Sequence, residues 1–200
     1  MSARIDICNN ALLMIGADSI TSLEDDAPEA QVMKSFYYNA RDMVLEDANW
    51  TFATKRFVPA LSATAPAFGW TSAFPIPSDI VRVTNVLREP FTAGFFYGNE
   101  FPEEYKVPHV VEGNEILCNE STIYCLGVRR MEDEGGYSPL FVEALTAFLA
   151  FKAALPIAQS STSQQVMMGL YTDLLGKAKT RDGMQNSTRK MRNDTLRFSR

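Results

Sequence analysis

A single histidine limits the nucleophilic chemistry that this sequence supports. A Ser-His-Asp triad would have to use His109, and the chain contains no Gly-x-Ser-x-Gly nucleophile elbow. A metal site made of His109, Cys118 and Cys125 would lack a fourth ligand, and its spacing does not match a zinc-binding motif. We therefore expect no catalytic residue, no cofactor and no metal, with His109 and both cysteines serving as ordinary strand residues.

Grouped carboxylates leave one enzymatic alternative open, a hydrolase of cell-wall peptidoglycan or polysaccharide. Glycoside hydrolysis needs a carboxylic acid and a second carboxylate held about 5 to 9 Å apart in a cleft. Each group of carboxylates in this sequence is also typical of a solvated loop, so both interpretations stay open. The groups are Glu103 with Glu104, Glu112 with Glu115, and Glu132-Asp133-Glu134.

The composition predicts a folded protein with a substantial core. The chain has 200 residues, of which 46% are hydrophobic and 22% are charged, enough for one domain with an additional lobe. No run approaches the roughly 20 apolar residues of a membrane span, and the first residues lack the apolar region of a signal peptide. We expect synthesis in a cytoplasm, where three cysteines at no disulfide spacing stay reduced.

Helical periodicity marks both ends of the chain, with two helices expected at each end. The first N-terminal helix is expected at about residues 3–15, with Gly16 as its C-terminal glycine. The second is expected at residues 27–48, where Asp26 and Glu29 have the spacing of a capping box.

The C-terminal pair of helices is expected to begin at Ser138-Pro139, an N-cap residue followed by a proline at the first helical position. Its first helix should end or kink at Pro156. Residues 160–163 interrupt the helical pattern, which then resumes to about Lys179. Four amphipathic helices predict a bundle that the two ends of the chain close together.

The middle of the chain changes to the alternating pattern of β-strands. Strands are expected at residues 80–87, 107–112, 115–119 and 122–128. Gly113-Asn114 predicts a two-residue hairpin turn between the second and third of these strands, and the fourth should continue them as a meander. The predicted fold class is therefore α+β, with N- and C-terminal helices forming a four-helix bundle and a central antiparallel β lobe.

Two segments outside these elements have the composition of contact surfaces. Residues 90–98 are rich in aromatic side chains and glycine, and exposed apolar loops usually mark a binding site. Residues 181–200 carry six basic and two acidic side chains, a net charge of +4 that leaves −9 on the rest of the chain. Such a tail is suited to an acidic neighbour. The expected partner-binding residues are Phe91, Phe95, Phe96, Tyr97, Arg189, Lys190, Arg192, Arg197 and Phe198.

Five segments spread over the chain carry a resemblance to a known family. They are ALLMIG at residues 11–16, ANWTFA at 48–53, FPIPSDIVRV at 74–83, VEGNEIL at 111–117, and the helical region 140–173. In this order they resemble the tail tubular protein A family, the head-to-tail adaptors of short-tailed bacteriophages. The likeness covers nearly the whole chain, although each segment is an apolar or turn pattern without a catalytic signature.

The resemblance implies a structural adaptor and not an enzyme. It implies a homo-oligomeric ring, a dodecamer, that joins the portal protein to the tail and surrounds the channel through which DNA leaves the capsid. The implied partners are further copies of this chain, the portal, a nozzle protein of the tail tubular protein B type, and tail fibres. DNA would pass without sequence-specific binding, because an acidic body repels the phosphate backbone.

The resemblance also suggests where the chain acts, while the pattern of elements and charge suggests how the chain is divided. The expected location is the virion tail, after assembly in the host cytoplasm. The expected domains are a helical bundle of residues 1–56 and 138–180, a β-rich lobe of residues 57–137, and a basic tail of residues 181–200. A cell-wall hydrolase carried by the virion is the alternative function.

Overall fold

The fold combines α-helices with two small antiparallel sheets, which confirms the mixed α+β class predicted from the sequence. A computed structural model describes residues 3–90, 101 and 103–186 of the chain. Within these residues the helices are α1 (Ala3–Met14), α2 (Pro28–Glu46), α3 (Pro139–Ala154) and α4 (Ser161–Asn186). The strands are β1 (Thr54–Phe57), β2 (Ser72–Pro75), β3 (Ile80–Leu87), β4 (His109–Glu112), β5 (Glu115–Cys118) and β6 (Tyr124–Arg129).

Two helix termini follow the capping chemistry predicted from the sequence. Gly16 adopts a φ of +74° after α1, and the amide of Ala17 donates to the carbonyl of Leu12 at 3.0 Å, the pattern of a glycine-terminated helix. At the start of α3, the Ser138 hydroxyl accepts a hydrogen bond from the Phe141 amide at 3.3 Å. Both predicted signals are confirmed.

The other two helices correct the predictions. Pro28 is the first residue of α2, which makes Ala27 the N-cap, so Asp26 lies one residue too early for the predicted capping box. In α4 the serine run does not interrupt the helix, because Ser160 caps it and accepts from the Ser163 amide at 3.1 Å. The helix continues to Asn186 and not to Lys179, so the predicted basic tail begins inside α4.

The larger core lies among the helices, and α3 is its centre. α3 contacts α1, α2 and α4. Its buried alanines leave room for close helix approach, while Phe141, Leu145 and Leu149 are fully buried between the neighbours. Trp50, only 1% exposed, donates from Nε1 to the carbonyl of Val44 at 2.8 Å and meets the Phe141 ring edge-on at 5.0 Å. The segment after α2 is therefore anchored in the helical core.

The six strands form two sheets of three strands each. The first sheet has the order β1-β6-β3 and the second has the order β2-β5-β4, all antiparallel. The predicted meander through β4, β5 and β6 is therefore wrong at its last step. Between β5 and β6 the fully buried Ile123 draws the chain into the space between the sheets, and β6 becomes the central strand of the other sheet. The alternating pattern does not predict β1 and β2, because TKRF has no apolar alternation and SAFP ends in a proline, which disfavours a strand.

A second, smaller core joins the two sheets to each other. It contains side chains from both sheets and from the segments between them, so it is the contact that holds the second sheet against the first. Its buried members are Phe74, Val86, Val107, Ile116, Cys118, Ile123 and Cys125.

Candidate interaction surface

Five of the exposed large apolar side chains among the described residues lie on β4 and in the segment between β1 and β2. Each is at least 40% exposed, and Phe68, at 89%, is the most exposed of them. We call this group the sheet surface. Apolar side chains that gather on one surface of a protein typically mark a site of contact with a partner. The group consists of Val58, Leu61, Phe68, Val110 and Val111.

Strand β4 is the most open element of the sheet surface. All four of its residues are exposed, although consecutive side chains of a strand point to opposite faces. β4 pairs with β5 along one edge only, and its other edge has no strand partner among the described residues. Val110 and Val111 thus offer apolar side chains on both faces beside an unpaired backbone edge, which is suited to pairing with a strand of another chain.

A groove of about 450 Å³ lies beside this strand, between the β4–β5 hairpin and residues 64–70. Its hairpin side is formed by Glu112, Glu115 and Leu117, and we call it the hairpin groove. Phe68 and Trp70 contribute aromatic side chains to the opposite wall. The groove is therefore apolar, with two carboxylates on one side.

The three carboxylate groups considered from the sequence lie in different surroundings. Glu103 and Glu104 are exposed in a short 3₁₀ turn, where Glu103 pairs with Lys106 at 2.6 Å. Glu112 and Glu115 stand opposite each other in the hairpin register, and neither has a hydrogen-bond or ion-pair partner among the described residues. Glu112 and Glu115 share the hairpin groove, whereas Glu132 and Asp133 of the third group line a separate pocket of about 490 Å³ together with Arg129 and Arg130.

The third carboxylate group belongs to a structural network. Glu134 accepts a hydrogen bond from Arg4 Nε at 2.7 Å and another from the Tyr37 hydroxyl at 3.2 Å. The hydrogen bond to Glu134 raises the pKa of Arg4 above its ordinary value, and burial, the largest cause, raises the pKa of Tyr37. Asp133 caps the 3₁₀ turn at Glu134–Gly136 through the Gly135 amide. These groups hold the segment before α3 against α1 and α2.

Further polar contacts join the helices to the first sheet. Arg130 donates from Nε to Asp42 of α2 at 2.8 Å, and Arg82 of β3 donates to Asn49 at 2.6 Å. Within the sheet region, Lys55 donates to Asp79 at 2.5 Å and thereby lowers the pKa of that carboxyl. No pattern in the sequence indicates these contacts, because their partners are 24 to 88 residues apart.

His109 lies opposite Cys118 in the β4–β5 register, but among the described residues His109, Cys118 and Cys125 are not placed to hold a metal ion. His109 is an exposed β4 residue whose Nδ1 lies 2.8 Å from the Val107 carbonyl. Cys118 and Cys125 are buried free thiols in strands, as predicted, and Cys8 is buried in α1. Burial raises the pKa of both Cys8 and Cys125 to about 12, which suppresses the reactive thiolate.

The described residues contain neither a group of side chains placed to hold a metal ion nor a helix able to span a membrane. Over residues 3–90, 101 and 103–186, no group of three or more histidine, cysteine, aspartate or glutamate side chains is placed to hold a metal ion. In the same part of the chain, every helix is too short or too polar to span a bilayer.

The partner-binding residues predicted from the sequence lie outside the described residues. This applies to the aromatic group at 91–97 and to the basic and aromatic group at 189–198. The sheet surface was not predicted, because the two consecutive valines of β4 are compatible with a buried strand as well as with an exposed one. In comparisons with known proteins, no protein-family model matches the chain. No curated protein matches it either.

Proposed function

We propose that this chain is a structural head-to-tail adaptor of a short-tailed bacteriophage, similar to the tail tubular protein A family. The observation that carries the proposal is the sheet surface, where an unpaired strand with two exposed valines adjoins the hairpin groove. A surface of this kind is suited to binding other protein chains. The proposal combines this surface with the sequence resemblance.

The segments that carry the resemblance have structural roles that support the proposal. FPIPSDIVRV spans the end of β2 and the start of β3, where Asp79 accepts a hydrogen bond from Lys55 of β1 and Arg82 donates to Asn49 just after α2. VEGNEIL forms the β4–β5 hairpin, whose Gly113 has a φ of +59°. Such contacts would fix the orientation of the sheets relative to the helices, which a subunit of a regular ring requires.

The finer arrangement belongs to the same proposal. We infer that α1 to α4 form one four-helix bundle closed by the two ends of the chain, with the sheets as a central lobe. Contacts of α3 with each of the other helices support this arrangement. The domains would be residues 1–56 with 138–180, residues 57–137, and the tail 181–200, although α4 continues past the start of that tail.

The proposed assembly is a dodecameric ring between the portal and a nozzle protein of the tail tubular protein B type, with tail fibres as further partners. It would be built in the host cytoplasm and reside in the virion tail. The acidic body of the chain supports a conduit role, since like charge leaves DNA free to pass. Partner contacts are assigned to the aromatic segment at 91–97, the basic tail, and the sheet surface.

A cell-wall hydrolase is the second candidate function, and the hairpin groove favours it. Two carboxylates, Glu112 and Glu115, face one groove together with the aromatic Trp70, a combination that sugar-binding sites use. Against this function, neither carboxylate is held by a hydrogen bond among the described residues, whereas hydrolysis requires fixed groups.

One experiment separates the two functions. The purified chain is mixed with the portal protein of the same virus, and co-purification is measured beside the clearing of a peptidoglycan suspension. The adaptor proposal expects a stable complex and no clearing. Clearing that is lost in Glu112→Gln with Glu115→Gln, without portal binding, would establish the hydrolase instead.

A matched pair of variants tests the sheet surface. Val111→Lys places a charge on exposed β4, whereas Leu155→Lys places the same charge at an exposed apolar position beside α3. Because both side chains are exposed, both variants should fold. We expect Val111→Lys to impair ring formation and Leu155→Lys to leave it intact. Normal rings from Val111→Lys would remove β4 from the assembly interface.

A further inference from the structure

Among the residues that the structure describes, the lining of the hairpin groove contains no cationic partner for its two carboxylates. Glu112 and Glu115 are directly opposite each other in the β4–β5 register, an arrangement in which like charges destabilise the strand pair. Residues 58–72, which supply the opposite wall, contain no charged side chain. A ligand that carries positive charge would therefore relieve a repulsion that the described residues leave in place.

The same groove has an apolar side, which is complementary to an apolar ligand. Phe68 is 89% exposed at the turn before Gly69, whose φ is +84°. Trp70 is half-buried and Leu117 is buried beneath the groove. A segment that alternates basic and apolar side chains is complementary to both features.

We propose that residues 187–200 of the same chain occupy the hairpin groove. This segment has five basic residues and one acidic residue, interleaved with Met191, Leu196 and Phe198. Leu196 and Phe198 provide the apolar contacts with Phe68 and Trp70, and Arg197 between them neutralises the glutamates. This inference does not rest on the proposed assembly role, because it concerns the free subunit.

The direction of α4 brings residues 187–200 to the end of the helices from which the chain enters β1. Residues 155–160 are a short connection from α3 to α4, and the rings of Phe148 and Tyr171 are 4.7 Å apart, so the two helices run antiparallel. The Tyr171 hydroxyl donates to Asp47 directly after α2, and α4 also contacts the turn Thr51–Ala53. The later part of α4 thus lies where the chain passes into β1.

Chain length is compatible with the proposed contact. Ten residues lie between Ala53 and Thr64, which limits the distance between the turn and the groove to about 40 Å. Phe198 lies twelve residues after Asn186 and reaches about 40 Å from it when the chain is extended. A tethered segment also binds at an effective concentration on the order of millimolar, so a weak complementary contact is enough to fill the groove.

Photo-crosslinking in the full chain tests the proposal. We would replace Phe68 with p-benzoylphenylalanine, irradiate the monomeric protein, and map the cross-linked peptides by mass spectrometry. Equal amounts of unlabelled and ¹⁵N-labelled chain are mixed beforehand. We expect cross-links from position 68 to residues 187–200 within chains of one isotope. The same probe at Leu155, 53% exposed between α3 and α4, should not reach that segment.

Charge variants of the cross-linking protein then test whether the two glutamates attract the basic residues of the segment 187–200. Glu112→Lys with Glu115→Lys should lower the yield about fivefold or more, the scale of losing exposed charge pairs. Arg192→Glu with Arg197→Glu should restore it in that background. The matched control, Glu132→Lys with Glu143→Lys, changes two exposed carboxylates elsewhere and should have no effect. If the lysine pair does not fold, Glu112→Gln with Glu115→Gln should lower the yield in the same direction.

Three results would overturn the proposal. The first is the absence of cross-links to residues 187–200, including the case in which the groove binds a carbohydrate instead. The second is cross-links between chains of different isotope, which would place the segment on another copy. The third is a yield that does not respond to charge at Glu112 and Glu115.

Discussion

The helical region and the sheet region of this molecule bury their apolar side chains to very different extents. Around α3, residues from every helix and from β6 form one continuous core that includes fully buried Trp50 and Tyr37. Among the described residues, the core between the sheets has seven buried side chains, and β4 beyond it is exposed along its whole length. We expect the larger helical core to supply most of the stability, and the proposed function assigns recognition to the exposed strand β4.

The largest expected difference comes from placing the same charge in the two regions. Phe148 is 5% exposed and packs on Tyr171 at 4.7 Å, whereas Phe68 is 89% exposed beside the second sheet. Phe148→Asp should abolish soluble monomer, because an unpaired buried carboxylate costs more than about 4 kcal/mol. Phe68→Asp should change the free energy of unfolding by less than about 0.5 kcal/mol. Soluble yield and urea unfolding are measured for both variants. Equal losses of stability in Phe148→Asp and Phe68→Asp would contradict the comparison between the two regions.

The cysteines report whether the smaller core opens first. In native protein, Cys8 in the helical core and Cys125 between the sheets should both resist alkylation, since burial raises the pKa of each thiol to about 12. In moderate urea we expect Cys118 and Cys125 to react about tenfold faster than Cys8, because a small core opens at lower cost. Mass spectrometry of alkylated peptides gives the three rates. Equal rates for all three would mean that the regions unfold as one unit.

Removing one charge tests how the segment before α3 is attached to the helices. Glu134→Gln should lower the free energy of unfolding by about 1 to 2 kcal/mol, because Arg4 and Tyr37 lose a charged acceptor. Glu132→Gln is the control, as Glu132 is exposed two residues away. Thermal unfolding compares the two variants. A Glu134→Gln protein that melts together with the control would show that the network adds no stability.

The smallest expected effect depends on pH. The hydrogen bond from Lys55 lowers the pKa of Asp79, so this contact stabilises the fold above the unfolded pKa near 3.9, and the contribution disappears as pH falls through the folded pKa. Both side chains are more than a third exposed, so Asp79→Asn should cost under about 1 kcal/mol at pH 7. Urea unfolding at pH 7 and pH 3 should show that the difference in unfolding free energy between wild type and Asp79→Asn becomes smaller in acid. A difference that becomes larger in acid would contradict this account.

Local sequence patterns predicted the helices better than they predicted the sheets. Gly16 and Ser138 act through atoms within a few residues, so their caps could be read directly from the sequence. The strand partners of β6 could not be predicted in this way, because they depend on the burial of Ile123 and on strands that begin 44 and 70 residues earlier. The position of the proline likewise decided the start of α2 against a plausible capping box.

The candidate site was still harder to predict from sequence. Whether Val110 and Val111 are covered depends on what packs on β4, and alternation alone gives both a buried and an open strand the same pattern. The pairing of Glu112 with Glu115 did follow from the two-residue turn at Gly113-Asn114, which sets the register of the hairpin. Their shared groove depends on residues 64–70, a segment without any regular pattern.

Native mass spectrometry of the chain with the portal protein of the same virus tests the proposed function most directly. The account predicts a complex that contains a dodecamer of the 22.3 kDa chain bound to the portal, formed by wild type and lost in the Val111→Lys variant. A chain that stays monomeric beside an intact portal would contradict the adaptor function.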